Sequence, residues 1–179
     1  MASNNNVTLK PAMLWYRGVG EDLKQSPESH TKLQGVLRGL TITQDEPESN
    51  SIDAEFFDSP FYIETTMNPI TINFDWVDFT VDELVDLLGG VKTADDGWMA
   101  PDSAVSPEKC WRLDFNIGHK ALTLYRGQLT ATLKKDEDGA LAYACTITSL
   151  VETYKDNGED KSRLYKIEAT ELSEDDSEG

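Results

Sequence analysis

The sequence predicts a mainly β fold: two packed antiparallel sheets, as a sandwich or partly open barrel, with one flanking α-helix. Three observations predict it. Ile70, Ile72, Phe74 and Trp76 alternate strictly with Thr71, Asn73 and Asp75, the mark of a strand with one face in a core. Similar alternation recurs through most of the second half of the chain. The helical period appears once, directly after Trp76, where Thr80 and Glu83 have the spacing of a capping box and Phe79 and Leu84 that of a hydrophobic staple.

In chain order, residues 1–6 read as a polar, flexible N-terminal arm, and 7–172 as one β-rich domain. Val7 to Tyr16 is apolar enough for a strand broken by Pro11. The polar stretch 18–32 reads as a loop or as a segment that orders against a partner. Leu40 and Ile42 between Thr41 and Thr43 mark a second strand. Gln44 to Ser51 is an acidic break, and Ile52 to Phe57 reads as the returning limb of a long hairpin. Phe61 to Trp76 is one strand or two, with a bend at Asn68-Pro69.

Val81, Leu84, Val85 and Leu88 recur at helical spacing, and Gly89-Gly90 is a stop, which gives a helix within 80–90. Residues 92–107 read as a surface loop. Strands follow at Trp111–Ile117, Leu129–Leu133 and Leu141–Ile147. The last two are joined by Asp136-Glu137-Asp138-Gly139, whose Asp-Gly is a hairpin signal. A final strand, Tyr165–Ala169, follows the turn at Asp156–Glu159. The count is about eight strands. Residues 173–179 form an acidic tail.

Composition narrows the function. The chain has 179 residues, 39% of them hydrophobic, enough for one core with appendages. Against 16 Lys+Arg stand 33 Asp+Glu, a formal charge of −17. Binding to DNA by counterion release needs basic patches, and the nearest, Lys134-Lys135, runs straight into three acids. Cys110 and Cys145 lie in apolar strand runs and read as small buried thiols of a reducing compartment. With no secretory signal and no apolar run of membrane-spanning length, the reading is a soluble protein made in a cytoplasm, without membrane association.

No chemistry stands out. His30 and His119 belong to no metal-spaced set, the acidic cluster Asp45/Glu46/Glu48 lacks the pattern of a calcium loop, and no nucleophile or phosphate-loop motif occurs. The expectation is a non-enzyme with no cofactor and no metal. Trp15, Trp76 and Trp111 sit in strand runs and read as core. Trp98 and Met99, in a polar loop, are candidates for contact with a partner.

The order of elements over roughly residues 36–170 resembles that of phage major tail tube proteins. The features that carry the likeness are the acidic insertion Gln44 to Phe57, the strand Ile70–Trp76, the helix to Gly90, the run Ala121–Leu133 and the hairpin after it. The resemblance implies a virion protein, assembled in the bacterial cytoplasm, whose six copies close into rings through sheet edges. The rings stack into a tube through which DNA passes without being held. Its partners would be further copies and other tail proteins: tape measure, terminator, baseplate or sheath. It also implies a stacking loop over 44–58, with Asp45, Glu46, Glu48, Asn50, Asp53 and Glu55. Lumen-facing candidates are Thr41, Thr43, Thr71, Asn73 and Asp75. The tube protein of a contractile secretion system shares the same pattern, and an acidic DNA-mimic inhibitor is the alternative from another class.

Overall fold

A computed structural model describes residues 13–19, 31–52, 62–103, 107–115 and 118–169. The arm 1–6, the tail 173–179 and most of the polar insertion 18–32 lie outside these residues. The fold is mainly β, sandwich-like, with one helix, as the alternation predicts. Fourteen strands are present among the described residues, more than the eight expected, because several are two- to five-residue ribbons.

The strands are β1 (Met13–Gly18), β2 (Thr31–Lys32), β3 (Val36–Gln44), β4 (Glu48–Ile52), β5 (Tyr62–Thr66), β6 (Ile70–Val77), β7 (Val91–Lys92), β8 (Trp98–Met99), β9 (Glu108–Phe115), β10 (Lys120–Lys135), β11 (Leu141–Ser149), β12 (Glu152–Asp156), β13 (Glu159–Arg163) and β14 (Tyr165–Ala169). The helix α1 spans Val81–Leu88. An eight-stranded antiparallel sheet runs β2-β1-β9-β10-β11-β6-β3, with β14 also on β10. The predicted Asp136–Gly139 hairpin joins β10 to β11, with Lys135 opposite Leu141.

The sixteen-residue β10 belongs to two wings. Its first half pairs with β9 on one edge and β14 on the other, and its second half pairs with β11. The register against β9 shifts between Leu124 and Gly127, a bulge of the kind that bends a strand. Gly127 makes the pivot possible. A Cβ there would lie 2.7 Å from Cδ1 of Trp111, whose indole N–H donates to the Gly127 carbonyl at 3.0 Å.

The sheet also curls back on itself. Lys32 on β2 pairs with Trp15 at one end of the strand order, while Val36 on β3 pairs with Val77 at the other. Four residue steps span at most about 14 Å, whereas the outer strands of a flat seven-strand path would be about 29 Å apart. The link 33–35 therefore closes the sheet towards a barrel. Leu33 N–H donates to the Leu14 carbonyl at 2.9 Å, which fixes one side. On the other side Gly35 passes so close to Trp76 that a Cβ would meet its Nε1 at 2.2 Å and the Val77 carbonyl at 2.8 Å.

The enclosed core is one cluster that draws Leu14 and Tyr16 from β1, Ile72, Phe74 and Trp76 from β6, and Trp111, Leu124 and Ile147 from the strands between. Trp76 and Trp111 are core, as read, but Trp15 is half-buried. Cys110 and Cys145 are buried free thiols. The capping box of α1 forms as predicted, with both reciprocal bonds. The helix face differs from the expected stripe: Glu83, Leu84 and Leu87 are buried, while Val81 and Val85 are half-exposed. The inward turn of Glu83, described below, accounts for this rotation.

Candidate functional site

The five lumen candidates lie on one face of the second wing, pointing away from the core. Thr41 sits opposite Asn73 and Thr43 opposite Thr71. Asp75 follows two residues on, and residues two apart share a face. The register extends the face across four strands. One row is Thr43, Thr71, Thr148 and Gln128, the next Thr41, Asn73, Thr146 and Thr130. All eight are uncharged and polar. Four strands at ordinary spacing make this field about 14 Å wide.

Hydrogen bonds knit the field together. Thr146 Oγ1 donates to Asn73 Oδ1 at 2.8 Å. In the third row, Asp75 is paired with Lys134 at 2.6 Å, and this bond holds the lysine pKa above its ordinary value. Arg38 reaches Asp136 and Asp138, each at 2.6 Å. At this end, charge enters the face as ion pairs, with Arg38 shared between two carboxylates. The members from β10 and β11 were not among the sequence candidates. The signal for them was the Asp136–Gly139 hairpin, which sets Thr130 against Thr146 once the register is known.

The acidic break begins a second feature. Gln44 pairs with Ile70, and Glu48 pairs with Thr66. Between these pairs stand Asp45, Glu46 and Pro47 on one side and Met67, Asn68 and Pro69 on the other, so three residues face three and the register does not slip. Two bonds bridge the gap: Gln44 Nε2 donates to the Asn68 carbonyl and Asn68 Nδ2 to the Glu46 carbonyl, both at 2.7 Å. Strands β3–β4 and β5–β6 are thus one long hairpin. Its outer half, β4–β5, has no further sheet neighbour among the described residues. The returning limb is β5, not Ile52 to Phe57, because β4 already pairs with Tyr62–Thr66.

Of the stacking candidates, Asp45, Glu46 and Glu48 are exposed at the base of this ribbon, and Asn50 lies within β4 opposite Glu64. Asp53 and Glu55 lie outside the described residues. The loop 92–107 is partly ordered as the β7–β8 ribbon. Trp98 folds back onto the domain: its Nε1 donates to the Gly89 carbonyl at 2.8 Å and its ring meets Tyr143 edge-on. Met99 is 59% exposed.

Among the described residues strand β3 pairs only with β6, and β14 only with β10, so each leaves an open edge. Between these edges an apolar crevice of about 350 Å³ opens, lined by Ile42, Ile70, Phe115, Leu122 and Ile167, with Lys120 its one charged lining residue among the described residues. A second cleft of about 460 Å³ lies between Met67 and the segment Ser162–Tyr165. Arg163 beside it is occupied, stacked at 3.6 Å on Tyr125 and paired with Glu152 at 2.7 Å. Among the described residues no three His, Cys, Asp or Glu side chains converge as metal ligands.

No family model matches the chain, and no curated protein matches it.

Proposed function

We propose that the chain is a self-assembling structural subunit of a tail tube, whose copies join through sheet edges into stacked rings and leave a lumen for DNA. The observation that carries this reading is the β4–β5 ribbon, a continuation of the central hairpin beyond the sheet that supports it. A two-stranded hairpin alone is marginal in water, so an outrigger of this kind gains stability when a neighbour covers it. The nine-residue edge of β3 adds a second demand. From Thr41 to Gln44 it carries no charge and no proline, two of the usual guards against edge pairing, and closure among copies satisfies such edges.

The hydroxyl and amide field suits a wall along which a polyanion slides. It offers phosphates no free cation, and bases no apolar surface or aromatic ring on which to stack. In this reading other tail proteins cap or sheathe the tube, and DNA is a passing cargo.

Electron microscopy of negatively stained protein, with sedimentation velocity across a concentration series, tests the proposal. Rings or tubes with a central channel are expected at high concentration. A monomer at every concentration and salt overturns it.

A further inference from the structure

We propose that the apolar crevice beside Lys120 is a binding site for a small anionic amphiphile, a single apolar chain with a carboxylate head. The inference goes beyond the assembly reading and does not depend on it. The crevice lies where the inner faces of the two wings part. On one wall Gln44 stands opposite Ile70 and Ile42 opposite Ile72. On the other Leu122 stands opposite Leu113 and Ile167. Ile70 and Leu122 are buried and form the floor, whereas Ile42 and Ile167 are exposed at the mouth. The space is an unfilled end of the core. Its volume of about 350 Å³ falls within the range of about 300–1,000 Å³ usual for small-molecule sites.

Register gives the site its polarity. Lys120, Leu122 and Leu124 alternate along β10, and residues two apart share a face. Leu122 and Leu124 belong to the core, so Lys120 sits on the core-facing side of the strand, where that face reaches water. Its partners in the row are Phe115 and Ala169, and neither carries a side-chain charge. The acids nearest in register, Asp114 and Glu168, both stand opposite Ala121 and so lie on the other face. There Arg112 holds them, at 2.8 and 2.6 Å. Lys120 forms no ion pair with any described residue. In a chain with 33 acidic and 16 basic residues, this ammonium is left uncompensated at the lip of an apolar crevice.

An anionic head beside Lys120, with its chain laid on Ile70 and Leu122, satisfies both features at once. A neutral chain would leave the lysine unused, and a cationic head would meet like charge. Each buried methylene is worth about fourfold in affinity, so affinity should rise with chain length until the crevice is full. The head contributes less, because Lys120 is solvated and its field is screened by salt.

Equilibrium dialysis of radiolabelled decanoate against the full-length chain, below the micelle concentration, tests the site. One saturable site per chain is expected, with octanoate weaker by about fourfold to fifteenfold. Lys120→Met should weaken decanoate several-fold at low salt and less at high salt, and Lys120→Arg should retain it. Decanol should bind wild type and Lys120→Met alike. Ile167→Trp, at an exposed position that tolerates the larger ring, should close the mouth and remove binding of both. Urea denaturation midpoints show that each variant is folded. No saturable decanoate binding, or binding indifferent to both Lys120→Glu and Ile167→Trp, overturns the proposal. Equal affinity for decyltrimethylammonium overturns the anionic head. Protein that sediments with phosphatidylglycerol vesicles but ignores monomeric decanoate overturns the free-amphiphile assignment.

Discussion

The carboxylate of Glu83 accepts a hydrogen bond from the backbone N–H of Gln34 at 2.5 Å, which ties the helix to the link that closes the sheet. Its other oxygen accepts from Thr80 N–H and Oγ1, both at 2.9 Å. One side chain thus caps α1 and holds the seam. Glu83→Ala removes the acceptor of three part-buried hydrogen bonds, at the helix cap and at the seam, and is expected to cost about 2 kcal/mol. Glu83→Gln should cost less. Urea denaturation followed by tryptophan fluorescence measures both, and equal losses would contradict the role given to the retained acceptor oxygen.

The seam makes a second, steric prediction. Gly35→Ala would drive a methyl group into the Trp76 indole and the Val77 carbonyl. Backbone sits on one side and a fully buried ring on the other, so neither yields cheaply. A loss of about 3 kcal/mol is expected, read as a fall in the denaturation midpoint. Gly18→Ala, where no atom stands near the new methyl, is the control and should stay near wild type.

Thiol chemistry provides a third test. Burial pushes the Cys110 thiol up to about 11 and Cys145 to about 12. Both side chains should resist a thiol reagent such as DTNB at pH 8 in the native protein, and both should react at once in urea. Rapid labelling of either in the native state would contradict the described core.

Those same shifts set the alkaline limit of stability. Unfolded thiols lose their protons near pH 9 and unfolded tyrosines near pH 10, whereas the folded protein keeps its thiol protons to pH 11–12. Burial also raises Tyr16, helped by Asp86, and Tyr143. The unfolded state therefore binds fewer protons above pH 9, and stability falls as pH rises. The full contribution is present below pH 9. Each group takes away about 1.4 kcal/mol per pH unit until its folded pKa is reached. Thermal melts from pH 8 to 11 should show Tm level at first and then falling.

The polar field makes a prediction about DNA. If the proposed tube forms, introducing cations by Asn73→Lys and Thr146→Lys should make the assembly retain DNA in a salt-dependent way, where the wild type is expected to let it pass. Electrophoretic mobility of short duplexes at two salt concentrations reads this out. Retention by the wild type at physiological salt would contradict a wall that lets phosphates pass.

Local rules made much of this architecture legible. The capping box at Thr80 and Glu83, the alternation through Ile70–Trp76 and the hairpin at Asp136–Gly139 each depend on neighbours in sequence, and each appears as read. The ribbons were not legible. Glu159–Arg163 is mostly exposed and Glu152–Asp156 is only half-buried along one face, and neither carries much apolar alternation. The turn Asn157-Gly158 that joins them takes positive φ at both residues, and that turn was the one visible sign. The closing of the sheet was hidden for a different reason. It depends on Gly35 tolerating Trp76 and on Gln34 meeting Glu83, contacts between residues some forty to fifty positions apart. The polar field was half legible: its β3 and β6 members stand out in sequence, but their neighbours on β10 and β11 emerge only from register.

The strand shared by both wings carries a kinetic consequence. β10 must find β9, β14 and β11, while the closing link at residues 33–35 must find both β1 and β6. β9–β10 and β10–β11 are local hairpins, but β14 on β10, β1 on β9 and β6 on β11 join residues about 45 to 100 apart in sequence, so contact order is high and folding should be slow for a chain of this size. Until the seam closes, the edge of β3 and the mouth beside Ile42 stay open to any passing strand. Copies made close together would meet in that interval, so the order of events, closure first or neighbour first, decides between orderly assembly and tangled aggregates.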